Sequence, residues 1–271
     1  MIKLVAIALS AAILAGCATN PVTGRKQFIM VSESEAIAAS KQAYVAELAP
    51  LAKQGKIDNN PAMTKRVREI TSRLIPQAVA YRPETAKWEW SVRVIDDPNT
   101  VNAFCMAGGK MAIYSGLITK LNATDDEIAN VMGHEIAHAL SNHTAEKMSV
   151  AMASQLGAAM VGVAAGSRYG GAAASGAAVA ATLALQLPNS RTAEAEADRI
   201  GIELAARAGY DPNAAVTLWQ KMAQADGGRP PEFLSTHPAP ETRIGELQAL
   251  ASKMMPYYLD KSPRPVYPLR S

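Results

Sequence analysis

Cysteine is almost missing from this 271-residue chain, which has only Cys17 and Cys105. A fold stapled by several disulfides is therefore excluded. Aromatic residues are scarce too, at 5%, while alanine and glycine are abundant, so some helices must pack through small side chains rather than around large rings. Neither sign of charge dominates, since 27 basic and 24 acidic side chains leave a net +3. That balance excludes a strongly nucleic-acid-binding protein and demands no acidic partner. No segment repeats, which removes solenoid architectures. Hydrophobic residues nevertheless make up 49%, too many for an intrinsically disordered chain. The length suits one domain with appendages.

The apolar run at the N-terminus is short. Residues 1–16 carry Lys3 and then a stretch of Leu, Val, Ala and Ile, the pattern of a secretory signal rather than a spanning helix. The stretch ends in Leu14-Ala15-Gly16-Cys17, which resembles a bacterial lipobox. In such signals the cysteine is acylated and becomes the first residue of the mature chain. Ala18 rather than Asp follows it, which by the same resemblance points to the outer membrane. Residues 17–31, with the turn formers Asn20-Pro21 and Thr23-Gly24, are expected to be a lipidated tether. Cys105 then remains as a lone thiol in an apolar run and is expected in the core.

From Ser32 the pattern becomes that of a folded domain. Ser32 and Glu35 form a capping-box pattern for a helix into the low fifties, and Asn60-Pro61 opens another to about Ala80. Trp88, Trp90, Val92 and Val94 alternate along a strand, and the runs Val101–Met106 and Met111–Tyr114 flank a Gly108-Gly109 hairpin. Thr124-Asp125-Asp126-Glu127 starts a helix expected to continue to about Met148. The Ala/Gly-rich residues 149–187 read as two closely packed soluble helices in preference to a membrane hairpin, because Ala and Gly contribute little hydrophobicity and Gln155 and Gln186 interrupt them. Helices follow from Ser190 to Ala208, after Asp211-Pro212, and from about Pro240 to Met255, with an extended Pro-rich tail over 256–271. Everything after the strands is helical, so the fold class is α+β: mainly helical with a small local sheet.

His134-Glu135-Ile136-Ala137-His138 is an H-E-x-x-H motif on the helix expected from Thr124. Residues i and i+4 lie one above the other, so both imidazoles reach one metal ion from one face. Glu135 lies beside the first ligand and is placed to act as a general base on water. The chain has four histidines, and three of them fall between residues 134 and 143. The metzincin pattern would need Gly at 141 and His at 144, where this chain has Ser141 and Thr144. A carboxylate from a later helix is the alternative third ligand. Glu194 and Asp198, four residues apart, share a face there, and Glu196 points elsewhere. His143, five residues from His138, falls off the metal face and reads as a packing or hydrogen-bonding residue.

The motif at 134–138, followed by Ser190-Arg191-x-x-Glu194-x-Glu196-Ala197-Asp198, resembles the zinc metallopeptidases related to the HtpX heat-shock peptidase, the CAAX prenyl protease and the mitochondrial Oma peptidase. Asn102-Ala103-Phe104 before Gly108-Gly109, His143, and Ser235-Thr236-His237-Pro238 with Arg243 extend the resemblance over about residues 32–255. Where the family usually has a small-Pro-Gly-Gly segment, this chain has Cys105-Met106-Ala107-Gly108-Gly109. Strong transmembrane signals are absent, so the branch of periplasmic lipoproteins fits best. The resemblance implies a zincin-like metallopeptidase domain, 32–255, holding one Zn²⁺ through His134, His138 and Glu194, with Glu135 as catalytic base. It further implies Asp198 as the partner that fixes a ligating imidazole, Arg191 paired to a nearby carboxylate, and His237 as a catalytic donor to the oxyanion. The strand Met111, Ala112, Ile113 and Tyr114 is expected to receive an extended substrate by strand addition.

Two functions are compatible with these residues. One is a zinc endopeptidase, lipid-anchored at the periplasmic face of the outer membrane, that degrades misfolded or damaged envelope proteins. The other is a zinc-stabilised, chaperone-like assembly factor for envelope proteins with little proteolysis. An intact Glu135 favours the enzyme, because a purely structural zinc site has no use for a carboxylate there.

Overall fold

The structure, a computed structural model, describes residues 17–164, 184–225, 231–238 and 242–269. The expected signal segment 1–16 and most of the second half of the Ala/Gly-rich stretch lie outside them. None of the described helices is long and apolar enough to cross a membrane.

Cys17–Thr19 (β1) and Lys26–Phe28 (β2) form an antiparallel hairpin. The segment expected as a tether is therefore docked. Asn20 and Gln27 are buried and donate to the Ser141 carbonyl at 3.1 and 2.9 Å. The turn formers that suggested a linker make the hairpin turn instead, with Asn20 Oδ1 accepting from Val22 and Thr23 N–H. Helix α1 spans Glu33–Lys53 behind the Ser32/Glu35 capping box, and α2 spans Pro61–Tyr81 with Asn60 as its cap.

Ser91–Ile95 (β3), Ala103–Met106 (β4) and Lys110–Tyr114 (β5) make a sheet of order β3-β5-β4. The β4–β5 pair is the expected hairpin, and β3 pairs parallel to β5 on its other side. This overturns the substrate-strand expectation for Met111, Ala112, Ile113 and Tyr114. Their strand is central and hydrogen-bonded on both sides, with the first three side chains fully buried. Strand addition needs a free edge, and on this side of the sheet the edge is β4.

After a short α3 (Ser115–Lys120), Asp125–Leu140 forms α4, with the Thr124/Glu127 capping box present. Every side chain from Glu127 to Leu140 is buried, so α4 is the axis of the domain. It ends eight residues before the expected Met148. Asn142 adopts φ 54°, a left-handed conformation that asparagine tolerates, and His143–Ala164 continues as a separate helix, α5. Arg191–Ala208 (α6) lies against α4 and ends at Gly209 with φ 94°. The two helices approach closely at Gly133 and Gly201. A Cβ on Gly201 would lie 2.6 Å from the His134 backbone, and one on Gly133 would lie 2.7 Å from the Gly201 carbonyl oxygen. This backbone contact brings the acidic face of α6 onto the histidine face of α4.

Ala214–Gln224 (α7), Glu232–Thr236 (α8) and Arg243–Leu259 (α9) complete the order. Helix α9 runs through Pro256, so the extended tail begins after Leu259 rather than at 256. The tail is packed on the domain through Tyr267 N–H to the Ser72 carbonyl, 2.8 Å. Trp88, Trp90, Val92 and Val94 share the main core with α2, α4 and α6, and Cys105 is buried among them as a free thiol.

Candidate metal centre

Four side chains from two helices and one loop converge: His134 and His138 from α4, Glu194 from the first turn of α6, and His237 just beyond α8. One ligand atom from each lies within 4.8 Å of the others, and all four residues are buried. His134 Nε2 and His138 Nε2 are 3.1 Å apart. Glu194 places Oε2 3.6 Å from the first and Oε1 3.3 Å from the second. Tetrahedral zinc with bonds of about 2.0–2.1 Å puts its ligand atoms roughly 3.4 Å apart, so these separations suit one such ion.

The proton positions agree. His134 Nδ1 lies 3.0 Å from Asp198 Oδ1, a carboxylate that only accepts, so Nδ1 carries the proton and Nε2 turns a lone pair inward. That lone pair faces His138 Nε2 and the Glu194 carboxylate oxygens, so no proton is shared directly between the ligand atoms. A cation suits that arrangement. Burial opposes charge on His134, yet the Asp198 hydrogen bond and the Glu194 and Asp198 charges raise its pKa above the ordinary value. Burial holds the His138 and His237 pKa values well below the ordinary one, leaving neutral rings suited to ligation. Burial would raise Glu194, but the charges of His134, His237 and Arg243 and the Asn189 amide hold it low.

Glu194 is fixed on both oxygens, by Asn189 Nδ2 at 2.8 Å and by Arg243 Nη1 at 2.8 Å. Arg243 also donates to Asp198 at 2.7 Å, and its guanidinium lies 3.6 Å over the Trp219 ring. This corrects the expectation for Arg191. Its side chain is exposed in the first turn of α6 and makes no hydrogen bond or ion pair among the described residues. The carboxylate-pairing arginine is Arg243 of α9, which the resemblance named without a role. Asn189, immediately before the Ser190 cap, escaped the sequence reading.

Glu135 lies beside the cluster without joining it. Its Oε1 is buried and lacks a hydrogen-bond partner, and the neutral His237 ring places Nε2 3.3 Å from it. Burial pushes the Glu135 carboxyl up to about 8. A cavity of about 140 Å³ opens in front of it, lined by Ala103, Phe104 and Cys105 of β4, with Lys147 and Glu232 at its walls. Burial lowers the Lys147 ammonium to about 8. His143 meets His138 after all, Nδ1 to Nδ1 at 2.8 Å, because the chain turns at Asn142 instead of continuing the helix. Its Nε2 is 2.9 Å from Glu196.

Residues 61–251 match the model of the family described as peptidase family M48. The chain belongs to peptidase family M48. The mitochondrial metalloendopeptidase OMA1 of Arabidopsis thaliana is 37% identical over 165 residues, which are 61% of this chain and 32% of that protein. The metalloendopeptidase OMA1 of Bos taurus is 34% identical over 242 residues, 85% of this chain and 45% of that one. The beta-barrel assembly-enhancing protease of Escherichia coli K12 is 30% identical over 211 residues, 75% of this chain and 42% of that one. The chain thus spans under half the length of these M48 relatives. Zinc is the metal this family uses, and the donor set of two or three imidazoles and one carboxylate suits it.

Proposed function

We propose that this M48 chain is a zinc-dependent endopeptidase, anchored as a periplasmic lipoprotein through Cys17, that cleaves misfolded or damaged envelope proteins. The observation that carries the hydrolytic reading is the unpartnered Glu135 Oε1, buried next to converging metal-ligand atoms and open to a cavity. When bound, Zn²⁺ supplies a Lewis acid that polarises a scissile carbonyl and acidifies water. His134, His138 and Glu194 would hold it, with His237 offering a fourth ligand atom. Glu135 takes the proton of the attacking water and returns it to the leaving amine. Asp198 and Arg243 keep His134 and Glu194 in place. The edge strand β4 lines the cavity and offers an extended peptide a register beside Glu135, which suits unfolded chains better than folded ones.

The envelope assignment rests on the lipobox-like residues 14–17 and on the likeness to a protein named for β-barrel assembly. The test is casein digestion by the chain from Ala18, with and without chelator, beside Glu135→Gln. Chelator-sensitive cleavage that falls at least ~10²-fold in Glu135→Gln is expected. Equal cleavage by the variant would overturn the mechanism. Absent cleavage, with clients still kept from aggregating, would favour the assembly-factor reading.

A further inference from the structure

Glu196 is two residues from Glu194 and about 160° around α6 from it, so it reaches no metal ligand directly. It is nevertheless the most heavily bonded carboxylate near the site. The N-terminal hairpin supplies most of its donors: Thr23 Oγ1 at 2.6 Å, Arg25 Nε at 3.1 and 3.2 Å, and Asn20 Nδ2 at 3.5 Å. The remaining contact is His143 Nε2 at 2.9 Å, and His143 Nδ1 is 2.8 Å from His138 Nδ1.

Two ring nitrogens at that separation form a hydrogen bond only if one carries a proton and the other does not. Taken alone, the pair could be arranged either way. The Glu196 carboxylate breaks the symmetry. It accepts only, so His143 Nε2 holds the proton and His143 Nδ1 is the acceptor. His138 Nδ1 must then be the donor, which leaves His138 Nε2 with its lone pair toward Glu194 and His134. The opposite arrangement would put a proton on His138 Nε2, where a metal has to bind.

We propose that the N-terminal hairpin is a working part of the metal centre: it holds Glu196, which orients His143, which in turn fixes the tautomer and rotation of His138. Glu196 and His143 are positioning residues, and Thr23, Arg25 and Asn20 extend their reach to a segment that sequence alone reads as a tether. The inference rests on the metal reading above. A partner beyond a ligating histidine typically changes metal affinity 10–100-fold.

The experiment measures the zinc Kd by competition with a chromophoric chelator, and the visible spectrum of the Co²⁺ form, on the full chain purified in detergent. In Glu196→Gln the amide oxygen stays with Arg25 and Thr23 and the NH₂ faces His143, which reverses the relay. Zinc should bind 10–100-fold more weakly and the Co²⁺ bands should shift, with the Tm of the metal-free chain little changed. Thr23→Val, a milder change outside the helices, should move the Kd in the same direction. His143→Gln, which can place an oxygen where Nδ1 accepts, should retain more affinity than His143→Leu. Ser149→Ala removes the hydroxyl that holds the Met30 and Val31 amides beside the hairpin without touching Glu196, and should leave the Kd as it is. A parent chain that binds no zinc refutes the metal reading and the relay with it. A zinc-binding parent whose Kd is unmoved in both Glu196→Gln and Thr23→Val overturns the relay alone, as does equal weakening by Ser149→Ala.

Discussion

His237 is held in a way that favours ligation over the oxyanion donation that the resemblance implied. Its Nδ1 lies 3.1 Å from the Phe233 carbonyl and 3.0 Å from the Thr236 hydroxyl, and the ring stacks on Phe233 at 4.1 Å. A carbonyl accepts only, so Nδ1 carries the proton and Nε2 offers a lone pair. In that tautomer His237 has nothing to donate to an oxyanion, but it is ready to ligate. His237→Ala is therefore expected to raise the zinc Kd by ~10-fold or more, a loss at least at the lower end of what outer partners cost. Four protein ligands would also complete a tetrahedron of the structural kind, whereas a catalytic site keeps a position open. Turnover at saturating zinc is thus expected to survive in His237→Ala. A variant with unchanged zinc affinity and collapsed turnover would restore the oxyanion role. Glu194→Ala, which removes a ligand atom and strands Arg243 and Asn189, should abolish stoichiometric zinc binding by metal analysis. Full retention there would reopen the ligand assignment.

The elements show which parts of the molecule were legible in the sequence. Helix starts were legible because their chemistry is local: Ser32/Glu35, Asn60-Pro61, Thr124/Glu127 and Ser190 are the caps the structure contains. The histidine spacing and the Glu194/Asp198 face were legible for the same reason, since one helical period decides them. The turn at Asn142 was not, because Ser141-Asn142 is compatible with a helix until tertiary contacts choose otherwise. The parallel β3–β5 pairing and Arg243 depend on partners far along the chain, and the three-residue strands β1 and β2 are too short to show a period.

Helix α4 also yields a pH prediction. The Glu127 carboxylate is buried and accepts from Lys221 Nζ at 2.7 Å, Thr217 Oγ1 at 2.7 Å and Thr124 N–H at 2.9 Å. Burial opposes its charge, but these donors hold its pKa below the ordinary value. A depressed carboxylate pKa stabilises the fold fully above the unfolded-state value of about 4.3, and that contribution is lost as the pH falls from there through the lower folded-state value. In chelator, so that metal release plays no part, Glu127→Gln should be about 1–2 kcal/mol less stable than the parent at pH 7 by urea unfolding. The gap should narrow as the pH falls below about 4.3 and close once it is below the depressed folded-state value. A gap that is constant with pH would mean that the charge at Glu127 contributes nothing.

At the scale of the whole molecule, the consequence of a docked hairpin is where the proposed lipid on Cys17 would put the membrane. Cys17 pairs with Phe28 at the open end of the hairpin, and Asn20, three residues on, holds the Ser141 carbonyl at the end of α4. Three residues span at most about 11 Å of chain, so acyl groups on Cys17 would keep the bilayer surface close to the metal-bearing helix, with no long leash between them. One acyl chain anchors only marginally, but several hold stably, since each buried methylene contributes about 0.8 kcal/mol. Cys17→Ser should therefore lose incorporation of a palmitate analogue in cells and appear as a soluble protein or an uncleaved precursor. Its zinc content and casein cleavage in detergent should match the parent, because Asn20, Thr23 and Arg25 still dock. Only the degradation of clients at the membrane surface should fall. Label that persists in Cys17→Ser, or a parent that never takes it up, would show that the residues before Ala18 are not a lipid address; a variant that loses label yet degrades membrane clients as fast as the parent would show that the short connection to α4 does not restrict what the site can reach.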